Sequence, residues 1–156
     1  MLGCGWQTRG MTDELLTPGQ APADSVWVER VGPREYVGHN DRGATVRFAG
    51  AGVEGAFTPG EVLKLAAAAC TGLVTDKALA RRVGDDYTAQ VQVSTVKDEE
   101  NNRYTSVDER LVVDLSGLDP EARERLVALL HRTIESQCTV GRTIVAGAEV
   151  HATITE

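Results

Sequence analysis

The apolar and polar positions divide the chain into strand-like and helix-like stretches. "SVWVERV" (25–31) alternates and predicts a strand. "REYVGHNDRGATVRFAG" (34–50) predicts two short strands around a turn at Asn40-Asp41-Arg42-Gly43. A Gly-rich loop, "GAGVEGAF", follows, and the period then changes to that of a helix from about Pro59 to Arg82. Two further runs alternate, Ala89-Gln90-Val91-Gln92-Val93-Ser94 and Arg110-Leu111-Val112-Val113-Asp114-Leu115, and the charged "KDEENNR" between them reads as a solvated hairpin connection. Asp119 and Pro120 are suited to the N-cap and first position of a second helix. Its apolar positions, Ala122, Leu126, Leu129, Leu130 and Ile134, share one face. "CTVGRTIVAG" predicts a short third helix and "AEVHATIT" (148–155) a closing strand. The expected fold class is α+β, with helices packed on an antiparallel-rich sheet.

The first helix carries the most information. Thr58 and Glu61 stand in a capping-box arrangement with Pro59 at the first helical position. Glu61 is therefore either a cap that opposes the helix dipole or a functional carboxylate. The middle, "LKLAAAACTGLV", holds one charge and predicts a helix buried on all sides. Its four alanines and Gly72 allow another backbone to approach closely. Cys70 lies inside this stretch, where a cysteine serves as a small hydrophobe or as a chemical group. Glu61 and Cys70 point to opposite faces and lie roughly 13 Å apart along a straight helix. Either Glu61 only caps, or it serves the Cys70 of another copy of the chain.

Composition narrows the field. A chain of 156 residues suggests one domain, and 42% hydrophobic content is enough for a real core. The net charge of −7 argues against nucleic acid or an anionic membrane as partner. No apolar run reaches the roughly 20 residues that span a bilayer. The opening "MLGCGWQTRG" lacks the pattern of a signal peptide, which leads us to expect a cytoplasmic protein. Residues 1–24 are expected to form a flexible arm, with Met11 a candidate start, and residues 25–156 the folded domain.

Of three cysteines, Cys4 falls in the arm, leaving Cys70 and Cys138. In a reducing compartment such a pair is more often redox-active, catalytic or metal-binding than structural. His39, His131 and His151 show no ligand spacing, so no metal is expected. A helix starting at Cys138 would favour its thiolate, while the alternative is a buried residue at a helix junction. A reactive thiol needs a positive neighbour. Arg30, Arg34, Arg42, Arg81, Arg82 and Arg142 are the candidates, and composition does not choose among them.

"TPGEVLKLAAAACTG", followed by "IESQCTVGRTIVAGAEVHATI", resembles the OsmC/Ohr family of thiol-dependent hydroperoxide reductases. The likeness runs over about residues 25 to 156. The resemblance implies an intertwined α+β homodimer with its sites at the subunit interface. It implies Cys70 as the peroxidatic and Cys138 as the resolving cysteine, with Glu61 as the family's helix-start glutamate. It implies Arg34 as the family's arginine, with Arg30 and Arg42 nearby. The best-known peroxidase branches read T-N-P-E with a longer Glu–Cys spacing, whereas this chain reads T-P-G-E. The activity implied is reduction of organic hydroperoxides, and less well of hydrogen peroxide, through a Cys70 sulfenic acid and a Cys70–Cys138 disulfide. A lipoyl-type or other small dithiol would restore both thiols, and no cofactor is required. Two other readings compete. One is a non-enzymatic dimer of the same fold that binds a small hydrophobic ligand. The other is a cysteine hydrolase with His131 or His39 as base.

Overall fold

The computed structural model describes residues 14–17 and 19–155. Cys4, Met11 and most of the expected arm lie outside the described residues. The backbone divides into two compact units, one formed by residues up to Pro59 with Ala152–Glu156, the other by Gly60–His151.

The first unit holds strands β1 (Val26–Gly32), β2 (Glu35–Asn40) and β3 (Thr45–Phe48) in one antiparallel sheet of order β1-β2-β3. Each connection has a local cause. Between β2 and β3 the Asn40 side-chain oxygen accepts from Arg42 N (3.0 Å) and Ala44 N (2.9 Å). Gly43 completes that turn at φ 86°, a conformation that costs glycine little. Between β1 and β2 the chain turns through Arg34 at φ 59°, an uncommon angle for a residue with a side chain. The register sets Trp27 opposite His39, and their rings stack with centroids 5.3 Å apart.

The second unit begins with the 25-residue helix α1 (Pro59–Val83). It continues through strands β4 (Ala89–Asp98) and β5 (Arg103–Val113), which pair as an antiparallel ribbon. The ribbon is longer than the alternating pattern alone predicts. Its connection shrinks to residues 99–102, where the Asp98 carboxylate accepts from Asn101 N (3.1 Å) and Asn101 Nδ2 (2.8 Å). Those hydrogen bonds hold the Asp98 pKa below the usual carboxylate range.

Helices α2 (Pro120–Gln137) and α3 (Thr139–Ala146) close this unit. Asp119 caps α2 as its sequence predicts, accepting from Ala122 N at 2.8 Å. Leu126 and Leu130 on α2 meet Leu79 on α1, and Leu111, Val113, Leu115 and Leu118 pack around them. Each of these buried leucines stabilises the fold by about 1.5–3 kcal/mol.

Two expectations are corrected. The helix expected to be buried on all sides is buried along one stripe, Ala67, Thr71, Thr75 and Leu79, at i, i+4 spacing. Leu63, Leu65 and Leu73 are 42%, 47% and 78% exposed. The stretch 148–155 forms no strand, and Val150 and Ile154 are almost fully exposed. A strand needs hydrogen bonds to a neighbouring strand, and period-2 alternation without a partner does not create one. Among the described residues no helix is long and apolar enough to cross a membrane.

The start of α1 contains a close fit. A Cβ built on Gly60 would overlap the Tyr104 hydroxyl and stand 3.4 Å from Tyr104 Cζ. Tyr104 also lies under the Lys64 ammonium, 5.9 Å from its ring centroid. Gly60→Ala alone is therefore expected to lower stability by about 1–3 kcal/mol, against alanine's better helix propensity. Adding Tyr104→Phe should recover most of that loss in urea denaturation. If Gly60→Ala alone leaves the midpoint unchanged or raises it, the close fit does not constrain position 60.

Candidate functional site

Cys138 occupies a single-residue joint between two helices. It is the C-cap of α2, where its N–H donates to Ile134 O at 3.0 Å, and the N-cap of α3. Its Sγ accepts from Gly141 N at 3.3 Å, in the place a serine or aspartate oxygen takes at other helix starts. The residue is only 2% exposed. α3 then ends at Gly147 in the left-handed conformation, with Gly147 N donating to Thr143 O and Ile144 O.

The structure brings Cys70 and Cys138 together. Cys70 lies half-buried on α1, one residue before the buried stripe position Thr71, and its side chain is near enough to that of Cys138 to interact with it. Both are free thiols. Two residues distant in the sequence thus meet because α1 and the α2–α3 joint pack in one unit.

A helix start was expected to favour the Cys138 thiolate. The Gly141 amide does act in that direction, but it is outweighed. Burial first, then the hydrogen bond with Cys70, push the Cys138 thiol up, and the negative charge of Glu109 adds to the rise.

Glu61 does not share this pair's stretch of α1. Glu61 lies exposed in the first turn of α1, nine positions before Cys70 on the same unbroken helix. That length of helix keeps the two residues of one chain roughly 13 Å apart along the axis. Arg34 is exposed at the β1–β2 turn of the first unit. Of the two histidines considered as bases, His131 is exposed on α2 and His39 is stacked on Trp27 in the first unit.

Sequence reasoning missed Thr71 and Glu109. A cleft of about 890 Å³ runs beside Cys138 and is lined by Thr71, Val107, Glu109, Ile134 and Arg142 among others. The buried Thr71 hydroxyl donates to the Glu109 carboxylate. Thr75 Oγ1 donates in turn to Thr71 O at 2.8 Å, so both buried hydroxyls of α1 are satisfied. A signal for Glu109 exists in the alternation. Val107, Glu109, Leu111 and Val113 occupy one face of β5, and Glu109 is the charge in an apolar row. Arg142 turns back to donate to Ser136 O at 3.3 Å. Among the described residues no group of three or more His, Cys, Asp or Glu side chains could hold a metal ion.

An α+β fold with a paired thiol beside the long helix defines a class, and comparison with known proteins identifies it. The OsmC-like protein family model matches residues 52–153. An uncharacterized protein of Mycobacterium tuberculosis is 47% identical over 131 residues, covering 84% of this chain and 96% of that protein, and a Mycobacterium bovis protein matches equally. The chain belongs to the OsmC-like family.

Solved structures agree on the fold. A hypothetical protein of Aquifex aeolicus superposes with TM-score 0.62 at 15% identity, over 81% of this chain and 89% of that one. The organic hydroperoxide resistance protein OhrB of Bacillus subtilis superposes with TM-score 0.50 at 24% identity, over 76% and 88%.

The raised Cys138 pKa has a thermodynamic consequence. The native state holds this proton more tightly than the unfolded chain does. The associated stability is complete below the ordinary thiol value of 9.0 and is lost as pH rises through the higher folded value. The melting temperature should therefore fall more steeply above about pH 9 for the parent than for Cys138→Ala. Parallel melting curves across that range would show that the native environment does not hold the proton.

Proposed function

We propose that the protein is a thiol-dependent peroxidase of the OsmC/Ohr type that reduces organic hydroperoxides, and hydrogen peroxide less well, in the cytoplasm. The observation that carries this reading is the nearness of the free thiols of Cys70 and Cys138. Two neighbouring thiols can reach disulfide geometry by local movement. The name of the OhrB protein, which refers to organic hydroperoxide resistance, supports the same direction.

The chemistry balances without a metal or an organic cofactor. The Cys70 thiolate attacks the peroxide oxygen that bears hydrogen. An S–O bond forms, the O–O bond breaks, and the alkoxide takes a proton and leaves as alcohol. Cys70 is now a sulfenic acid. The Cys138 thiol attacks that sulfur, an S–S bond forms, and the hydroxyl leaves with the Cys138 proton as water. A lipoyl-type or other small dithiol reduces the disulfide by two exchange steps and carries the oxidation away.

Cys70 is the peroxidatic residue in this scheme and Cys138 the resolving one. Arg34 stabilises the thiolate and polarises the peroxide, and Glu61 orients its guanidinium. The separation of Glu61 and Cys70 along α1 supports a division of these roles between two copies of the chain. The exposed Leu63, Leu65 and Leu73 on α1 support such a homodimer, because a second helix would remove that apolar surface from water.

Cys70→Ser should abolish peroxide consumption in the presence of a dithiol, to below about one hundredth of the parent rate. Cys138→Ser should leave a sulfenic acid on Cys70 that a sulfenic-acid-specific reagent captures in the intact-mass spectrum. A folded Cys138→Ser protein that never gains the oxygen, with an unaltered peroxide rate in Cys70→Ser, favours a non-enzymatic carrier of a hydrophobic ligand.

A further inference from the structure

The proposed chemistry uses two neighbouring thiols, and only one of them is to meet peroxide first. Nearness alone does not order them. The surroundings differ in one respect that no part of the scheme above employs, the carboxylate of Glu109. Its row on β5 is otherwise apolar. Glu109 is an exposed residue, yet its carboxylate accepts from Thr71 Oγ1, and Thr71 is only 1% exposed. Thr71 directly follows Cys70 in α1. Thr71 and Glu109 line the same cleft as Cys138. A charged side chain that could extend into water is instead tied to a buried hydroxyl beside the thiol pair.

We infer that Glu109, pinned by Thr71, is a positioning residue that holds Cys138 as the neutral thiol and so leaves Cys70 as the sulfur that meets the peroxide. This assignment deepens the peroxidase reading and rests on it for its use, although the electrostatic part stands without it.

The charged and titratable groups that face Cys138 are Cys70 from α1 and Glu109 from β5, with Glu135 from α2 and Arg142 from α3 lining the same cleft. Arg142 is engaged with the Ser136 carbonyl. Glu109 is the carboxylate fixed by a buried donor, so its charge stays near the sulfur. A fixed negative charge disfavours a second one nearby, which opposes the thiolate at Cys138. The same charge leaves resolution possible, because the Cys138 proton departs with the sulfenic hydroxyl as water.

The test uses the full chain with Cys4→Ser and Cys70→Ser, so that Cys138 is the one remaining thiol. Thiolate ultraviolet absorbance is followed against pH, with circular dichroism confirming the fold. Glu109→Gln should raise the thiolate fraction near pH 8 about three- to tenfold. Glu109→Asp, which keeps the charge, should stay close to the parent. Thr71→Val, which frees the carboxylate to swing into solvent, should move in the same direction as Glu109→Gln and provides the answer should Glu109→Gln fail to fold. With tert-butyl hydroperoxide, Cys138 in the Glu109→Gln protein should gain a sulfenic acid several-fold faster than in the parent background.

Titration curves that coincide for the parent, Glu109→Gln and Thr71→Val overturn the assignment, as does a shift equal in Glu109→Gln and Glu109→Asp. A shifted Cys138 titration alongside a peroxide-inert Cys70 in Cys138→Ser overturns the peroxidase reading and leaves the electrostatic role of Glu109 supported.

Discussion

One sulfur atom holds the second unit in register. Cys138 ends α2 and begins α3 with no residue to spare, and its Sγ receives the Gly141 amide that the start of α3 would otherwise leave unsatisfied. The same atom lies near Cys70 on α1. Helix capping and thiol pairing are therefore tied to one position. A serine there could cap the helix but could not form a disulfide. An alanine could pack but would do neither.

The long helix shows how a site is built by leaving surface uncovered. Its stripe of Ala67, Thr71, Thr75 and Leu79 packs within the chain, and the Thr71 and Thr75 hydroxyls donate hydrogen bonds to the Glu109 carboxylate and to the Thr71 carbonyl. Cys70 stands next to that stripe, neither fully inside nor fully in water. Such a position suits a group that must meet both a buried partner and an incoming molecule. Leu63, Leu65 and Leu73, on other sides of α1, are exposed.

Most of the fold was legible in the sequence. Both sheets, the long helix, the Asp119-Pro120 start of α2 and the short α3 follow from local periodicity and capping chemistry, and such signals survive in one chain read alone. The closing strand over 148–155 was not legible, because alternation reports the face a strand would present and not the neighbour that must hydrogen-bond to it. The meeting of Cys70 and Cys138 could be read only by likeness to a family, since contact between distant positions is a tertiary fact. Glu109 was hidden for a different reason. Charges along β5 look like an outer face until the register shows that this one shares its row with Val107, Leu111 and Val113. Glu61 keeps the helix-start place its sequence position implies, whereas Arg34, expected to open a strand, lies in the turn just before β2, and the roles of both rest on the proposal.

The fit between Gly60 and Tyr104 has a consequence for how sequences of this kind can vary. The two positions share one small volume, and the absence of a side chain at one makes room for the hydroxyl at the other. Neither residue can drift freely. A larger residue at position 60 becomes acceptable only after position 104 has given up its hydroxyl, whereas losing the hydroxyl first leaves only a small gap. Substitutions at this helix start therefore have a preferred order, and the cost of a change at position 60 is inherited from a strand far away in the chain.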